Sequence, residues 1–193
     1  MIPSLLLSLG MAGGSRMVEP PLAPPSQPPA VKAEELPLDG QDHQPVLLGP
    51  SSREAILKHR EVFRANTASA NLSAECKARW RALDGSCVVV AAFGSWCGDS
   101  HRELPDLLAL MQEPNPFVEV RLLGVNRSKK ANPADWPKGV AAPAVERVPT
   151  FWVYVQQPGG TLRLAGSIVE TPPVKGQRMA EALLDLLEKA LRL

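Results

Sequence analysis

The sequence is poor in the residues that mark several protein classes. It has three cysteines, three histidines and one tyrosine among 193 residues. So few cysteines, and an odd number of them, exclude a disulfide-rich scaffold. The net charge is only +1, and no basic stripe is interleaved with aromatic residues, so no nucleic-acid partner is expected. No apolar run is long enough to cross a bilayer as a helix, so no integral membrane span is predicted.

The first fifty residues differ in composition from the rest of the chain. They hold half of the 20 prolines, several of them in adjacent pairs. Residues 1–18 form a short apolar leader typical of a secretory signal. Residues 19–50 are predicted to be a disordered linker, because proline continues neither a helix nor a sheet ladder. Because of the apolar leader, export of the protein is expected. A cytoplasmic location is the alternative, because no lysine or arginine precedes the apolar run.

Residues 51–193 have the periodicity of one folded domain. A capping-box pattern at residues 51–54 opens a helical region, and a second helix is predicted to begin at Ser73. The elements predicted after it are a strand at 87–93, a helix at 98–112 interrupted by Pro105, a strand at 117–125, an irregular segment at 126–147, a hairpin of strands at 150–155 and 161–169, and a helix at about 175–191. This order predicts an α/β fold with a mixed central sheet and helices on both faces.

One turn carries the clearest chemical signal. The apolar strand ends at residue 93, and Cys97 stands where the next helix begins. A thiol in that place meets the unpaired N–H groups and the positive dipole end of the helix, and both favour the thiolate. Ser100 occupies the position at which a dithiol redox site would carry a second cysteine. The sequence therefore predicts chemistry with a single sulfur.

Three features resemble the thioredoxin superfamily when taken together. They are the run Trp96-Cys97-Gly98-Asp99-Ser100 after a long strand, Pro105 in the next helix, and Val148-Pro149-Thr150 before the hairpin. Residues 94–100, 126–130, 147–151 and 168–170 are similar to a bacterial group of thioredoxin-family proteins with a single cysteine in this turn. The resemblance covers residues 73–193. It implies a thioredoxin-like three-layer fold, with a helical extension before it and a periplasmic location if the protein is exported.

The resemblance also implies roles for individual residues. Cys97 is the nucleophile, and Ser100 is a second catalytic residue whose hydroxyl stabilises the thiolate. The implied substrate-binding residues are Trp96, Gly98, Asp99, Val148 and Pro149. In this fold the peptide bond between the residues matching Val148 and Pro149 is cis and presents strand-like hydrogen bonds to a bound peptide.

Two departures from the thioredoxin pattern agree with each other. Ser100 cannot displace a mixed disulfide. Ala91 stands where thioredoxins keep a buried carboxylate that helps to deprotonate the second thiol. Cys87 lies ten residues from Cys97 along one strand, roughly 30 Å away and too far to form a disulfide. Cys76 would have to lie near the top of the sheet to reach Cys97. Cys76 and Cys87 are either small buried hydrophobic residues or a pair formed after export.

We therefore expect a monomeric thiol–disulfide exchange protein in which an external thiol completes the cycle. Its partners are protein or low-molecular-weight disulfides and thiols, with glutathione as a candidate external thiol and no other cofactor or metal. The alternative is a redox-inactive binding module that captures peptide or thiol partners without turnover.

Two related families do not match this pattern. A peroxiredoxin needs Pro-x-x-x-Thr/Ser-x-x-Cys, but Val90 and Gly94 occupy those places before Cys97. A monothiol glutaredoxin shares the Cys-Gly-x-Ser pattern, but it does not usually carry tryptophan before the cysteine or aspartate in the variable position.

Other residues allow two interpretations. His101 is either a cation that stabilises the thiolate or a solvated surface residue. A metal site of Cys97 and His101 lacks further ligands at useful spacing. Arg127, Lys129 and Lys130 form a basic loop that is solvated by default, and Glu170 has no predicted role. The aromatic residues Trp136, Trp152 and Tyr154 are expected to pack in the core or at its rim.

Overall fold

The computed structural model describes residues 36–192. The predicted leader at residues 1–18 and the first part of the predicted linker lie outside the described residues. Within residues 36–192, no helix combines the length and the apolar character needed to cross a membrane.

The described chain folds around a five-stranded mixed sheet. The strands are β1 (Gly49–Ser51), β2 (Cys87–Phe93), β3 (Val118–Gly124), β4 (Thr150–Gln156) and β5 (Leu162–Val169). The α-helices are α1 (Arg53–His59), α2 (Glu61–Ser69), α3 (Ala74–Ala82), α4 (Gly98–Leu110) and α5 (Met179–Leu191). The strand order is β1-β3-β2-β4-β5, in which β2 and β3 are parallel and the other pairs are antiparallel. The predicted α/β class is confirmed.

The central strand is the element that the sequence predicts best. Every residue of β2 is buried, as expected of a continuous apolar run. It pairs with β3 on one side and β4 on the other, and α4 connects β2 to β3. The predicted order of strand, helix, strand, hairpin and final helix is confirmed. Ser73 caps α3 as predicted, whereas α1 is capped by Ser52 through a bond from Ala55 N–H.

Residues 36–50 correct the linker prediction. This segment contains an isolated β-bridge between Leu38 and Pro45, and its end forms strand β1 beside β3. Val46 and Leu47 are buried in the domain. The high proline content predicted disorder, but proline is compatible with an edge strand, because the missing N–H can face solvent there without removing a hydrogen bond between strands. A disordered linker up to residue 50 is therefore wrong for residues 36–50.

The two faces of the sheet are covered in different ways, which corrects a second prediction. Within residues 36–192, buried residues of all five α-helices pack with one face of the sheet, which includes Val89 and Val153. The opposite face, with Val90 and Trp152, packs against the irregular segment around Trp136. Helices on both faces are therefore wrong for this part of the chain. Three prolines and a positive-φ glycine interrupt residues 133–143, so this segment folds as a loop with one short 3₁₀ turn.

A partly buried ion pair joins α4 to the start of α5. Asp106 accepts hydrogen bonds from the guanidinium of Arg178 and from Ala180 N–H. We expect Asp106→Ala to lower the free energy of unfolding by about 2–3 kcal/mol, because it removes charged hydrogen bonds that hold the first turn of α5. Urea denaturation of the variant and the parent protein measures this change.

Asp185 provides a matched control on the protein surface. It pairs with Arg79 at 2.6 Å, but its side chain is 56% exposed. Asp185→Ala should therefore cost less than about 1 kcal/mol. Equal losses for the two variants would contradict the role given to Asp106.

Candidate functional site

Cys97 lies where β2 passes into α4. It is the N-cap of α4, with an extended backbone (φ −95°, ψ 125°), and the residue is half-buried. Its N–H donates to Gly94 O at 3.0 Å, and its carbonyl accepts from His101 N–H at 3.0 Å. The thiol therefore stands at the positive end of the α4 dipole.

The Cys97 thiol contacts the loop before β4. Its Sγ donates to Val148 O at 3.3 Å across 51 positions of sequence. The bond between Val148 and Pro149 is cis, as the resemblance implied. The Cys97 side chain makes no capping bond to the first turn of α4. In this arrangement the thiol bonds to the cis-proline loop and not to the helix N–H groups expected from the sequence.

The cis-proline loop is held on both sides of Val148. Thr150 Oγ1 donates to Arg147 O at 2.8 Å, and Glu170 N–H donates to Pro149 O at 2.7 Å. The Glu170 carboxylate also accepts from Arg147 at 2.9 Å. Glu170 adopts a left-handed backbone with φ 59°, an uncommon conformation for a residue other than glycine. Glu170 had no predicted role, but its N–H and its carboxylate both support this loop.

Ser100 faces the turn that precedes Cys97. It is completely buried in the first turn of α4, and its Oγ accepts from Gly94 N–H at 3.2 Å. Among the hydrogen bonds of residues 36–192, none joins Ser100 to the Cys97 sulfur. The hydroxyl proton remains available to donate, because the bond to Gly94 uses Oγ as acceptor. Ala91, also fully buried, belongs to the helix-facing core.

Three contacts hold the Trp96 ring in place. Its Nε1–H donates to Val125 O at 2.9 Å. A Cβ on Gly94 would lie 2.7 Å from the indole, so only glycine lets the ring pack there. The Arg127 guanidinium lies over the ring, 4.8 Å from its centroid. The Trp96 ring is therefore fixed by its neighbours, and Arg127 covers one of its faces.

The two predicted binding residues after Cys97 are accessible. Gly98 is exposed, and the position of a Cβ there meets nothing within 4 Å. Asp99 is half-buried and pairs with Arg102 at 2.7 Å. Arg102 thus balances the negative charge that Asp99 brings to the start of the helix.

His101 is not the solvated surface residue that was one of its two predicted roles. Its Nε2 donates to Ser95 O at 2.9 Å, and its ring packs edge-on against Phe63, with centroids 5.0 Å apart. Its carbonyl accepts from Asn66. His101 is therefore a half-buried residue that joins α4 to α2 and to the turn before Cys97. Within residues 36–192, no three histidine, cysteine or acidic side chains converge as a metal site requires.

The other two cysteines are core residues. Cys87 is fully buried at the opposite end of β2, and burial raises the pKa of its thiol to about 12. Burial also raises the pKa of Cys76, with Glu181 and Asp106 adding to the effect against Arg79. Asp106, whose charge acts on the Cys76 thiol, is nine residues along α4 from Cys97, about 13 Å by helical rise. Cys76 therefore lies beside a part of α4 that is distant from Cys97. Both thiols are free, and Cys97 alone of the three is accessible.

Two residues near the site were missed or given the wrong environment. Arg127, assigned to a solvated basic loop, instead donates from Nε to both oxygens of the buried Asp39 carboxylate at 2.8 and 2.9 Å. Asp39 was placed in the linker. The aspartates and glycine of residues 39–42 were the available signal, because aspartate favours local turns of this kind. Trp136 and Trp152 pack edge to face in the core, as predicted, with centroids 5.7 Å apart.

Comparisons with known proteins reach only the level of the fold. No protein-family model and no curated protein matches the chain. The crystal structure of an HIV epitope scaffold aligns at 16% identity over 75% of this chain and 93% of that chain, with a TM-score of 0.50. A Pseudomonas aeruginosa protein of unknown function aligns at 21% identity over 72% and 80%, with a TM-score of 0.42. The likeness to the scaffold concerns the course of the chain alone, and the chemistry has to be inferred from the residues themselves.

Proposed function

We propose that this chain is a thioredoxin-like protein that exchanges thiols and disulfides through one cysteine, Cys97. One observation carries the proposal. The only accessible thiol of the three stands at the N-terminus of α4, with its sulfur 3.3 Å from the carbonyl of a cis Val148–Pro149 unit. A helix N-terminus favours thiolate, the form that attacks disulfides.

The reaction proceeds in two exchanges. The Cys97 thiol first loses its proton to solvent, which ends its hydrogen bond to Val148 O. The thiolate attacks one sulfur of a substrate disulfide, so that a bond from Sγ forms, the substrate S–S bond breaks, and the other half leaves as a thiolate. An external thiolate then attacks the mixed disulfide and releases Cys97. In the net reaction the external thiol replaces one half of the substrate in a disulfide, and that half leaves as a thiol. A second external thiol then attacks this new disulfide, so complete two-electron reduction of the substrate oxidises two external thiols to their own disulfide.

The second exchange requires a thiol from outside the chain. Cys76 and Cys87 are buried away from the turn, and Ser100 has no sulfur to offer. A small thiol such as glutathione fits this requirement, because it approaches a half-exposed sulfur without displacing the core. The cis-proline loop supplies the place where a substrate backbone lies, since Val148 is held from both sides next to the sulfur.

One observation favours a second candidate, a binding module without turnover. The Sγ–H group donates to Val148 O, and a thiolate cannot make that bond. The bond therefore stabilises the protonated, unreactive form. A partner could occupy the same groove while Cys97 stays a thiol.

Disulfide labelling under native conditions separates the two candidates. Incubation with oxidised glutathione should add one glutathionyl group per chain, and peptide mass spectrometry should locate it on Cys97. The buried thiols should react only after denaturation in urea, when all three cysteines of the chain become available. Absence of a native adduct on Cys97, with three adducts in urea, would favour the binding module.

A further inference from the structure

The segment before β1 reaches the turn that carries Cys97. Residues 36–48, here called the N-terminal strap, fold back on themselves through the bridge between Leu38 and Pro45. The Asp39 carboxylate accepts from Gln41 and Asp42 N–H at 2.9 and 3.1 Å, and its side chain is only 2% exposed. A buried carboxylate of this kind needs a cationic partner.

That partner is Arg127, which links the strap to Trp96. Arg127 donates to both Asp39 oxygens and lies over the Trp96 ring at 4.8 Å. Gly94 also packs so close to the ring that a Cβ there would lie 2.7 Å from it. Burial by itself opposes ionisation of Asp39, but the bonds from Arg127 and from the two backbone N–H groups outweigh it and hold the pKa below its usual value. The contact therefore remains charged at neutral pH.

A second contact joins the strap to the same turn. Leu47 N–H donates to the buried Ser95 Oγ at 3.2 Å. The strap passes so close to β3 that a Cβ on Gly124 would lie 2.3 Å from Leu47 O. Residues 95 and 96, which directly precede Cys97, are thus both fastened to the strap, one directly and one through Arg127.

We propose that Asp39 and Arg127 are positioning residues for Cys97, and that the N-terminal strap is a working part of the site. This inference rests on the proposed function. Through Arg127 the strap holds the Trp96 ring, which also packs closely on Gly94, and so fixes the turn that presents the thiol to Val148 O. Arg127 also covers one face of the ring, so a partner that approaches this face meets the guanidinium.

Three variants and a control test the inference. Arg127→Ala removes the stack and the ion pair, Asp39→Asn removes the charge but keeps an acceptor for the turn, and Arg127→Lys keeps the charge without the guanidinium fork. Arg121→Ala is the matched control, because Arg121 also pairs with an acid, Glu119, and has the same 33% side-chain exposure as Arg127.

Two readouts are measured. Acrylamide quenching of the Trp96 fluorescence is obtained by difference from Trp96→Phe, and Cys97 reactivity is the rate of alkylation by iodoacetamide as a function of pH. Arg127→Ala and Asp39→Asn should increase the quenching and change the alkylation rate by about threefold to tenfold. Arg127→Lys should recover part of both, and Arg121→Ala should change neither.

Failure of this inference is distinct from failure of the proposed function. If Arg127→Ala matches Arg121→Ala in both readouts, the strap is only a structural element and the inference is overturned, whether or not Cys97 exchanges disulfides. If the native protein forms no glutathione adduct, the proposed function fails, while quenching and alkylation still report on the contact between the strap and Trp96.

Discussion

Replacing Cys97 with serine should reduce thiol–disulfide exchange to the rate of the uncatalysed reaction. A serine hydroxyl has nearly the same size but cannot form the mixed disulfide on which both exchanges depend. The rate of reduction of a small disulfide such as hydroxyethyl disulfide, with glutathione as the external thiol, measures the effect. In the parent protein the overall rate should rise in proportion to the glutathione concentration until the first exchange becomes rate-limiting.

The other two cysteines provide the control for this experiment. Cys87 and Cys76 lie in the core away from the turn, so Cys87→Ala and Cys76→Ala should leave the rate per folded molecule unchanged. Both substitutions should lower stability, because each leaves a small cavity. Unaltered exchange in Cys97→Ser, or its loss in Cys87→Ala, would assign the chemistry to another thiol. Partner capture that persists in Cys97→Ser without turnover would instead identify a binding module.

Ser100→Cys should give the site a second thiol of its own, which replaces the external thiol in the second exchange. Residues three apart on a helix have Cβ atoms about 5–6 Å apart, which a small adjustment of the first turn brings within disulfide range. Release of the mixed disulfide should then become independent of glutathione. At millimolar glutathione it should become at least about a hundredfold faster, because a thiol held in place acts at a high effective concentration.

Three measurements check this expectation. Oxidised Ser100→Cys should lose two mass units and resist alkylation at Cys97. In a single turnover of the reduced variant, release of the mixed disulfide should not vary with glutathione, although repeated turnover still consumes glutathione to reduce the new internal disulfide. Arg102→Cys is the control, since it adds an exposed thiol to the same helix at a position that does not face Cys97. In the control, release of the mixed disulfide should keep the glutathione dependence of the parent protein. Continued dependence in Ser100→Cys would mean that the buried side chain cannot turn from Gly94 towards Cys97.

Local pattern was sufficient for the elements on which the site is built. The apolar run of β2, the turn after it and the helix starting beside Cys97 depend on short-range preferences that neighbouring residues express directly. The cis bond at Pro149 followed from the resemblance in the residues around it. In each case the information lies within a few positions of the feature.

Long-range contacts account for what the sequence did not predict. The pair between Asp39 and Arg127 joins residues 88 positions apart, and an aspartate in a proline-rich segment looks like any solvated charge. Ser100 turns towards Gly94, and His101 towards Ser95, because both side chains are enclosed by packed elements. The covering of one sheet face by a loop likewise depends on how Trp136 fits against Trp152, which no local pattern reports.

The sequence by itself determined the α/β class, the position of Cys97 at the start of a helix and the absence of a second cysteine in the turn. Hydrophobic periodicity and residue identity are local properties, so they can be read without coordinates. Only the tertiary structure decided where the thiol points and what holds it. The direction of the thiol and its contacts depend on the cis-proline loop, Gly94 and the N-terminal strap, which meet at one place. In an unfolded chain the same polar groups can bond to water or to many partners, and burial at this place leaves only the partners that the fold brings near.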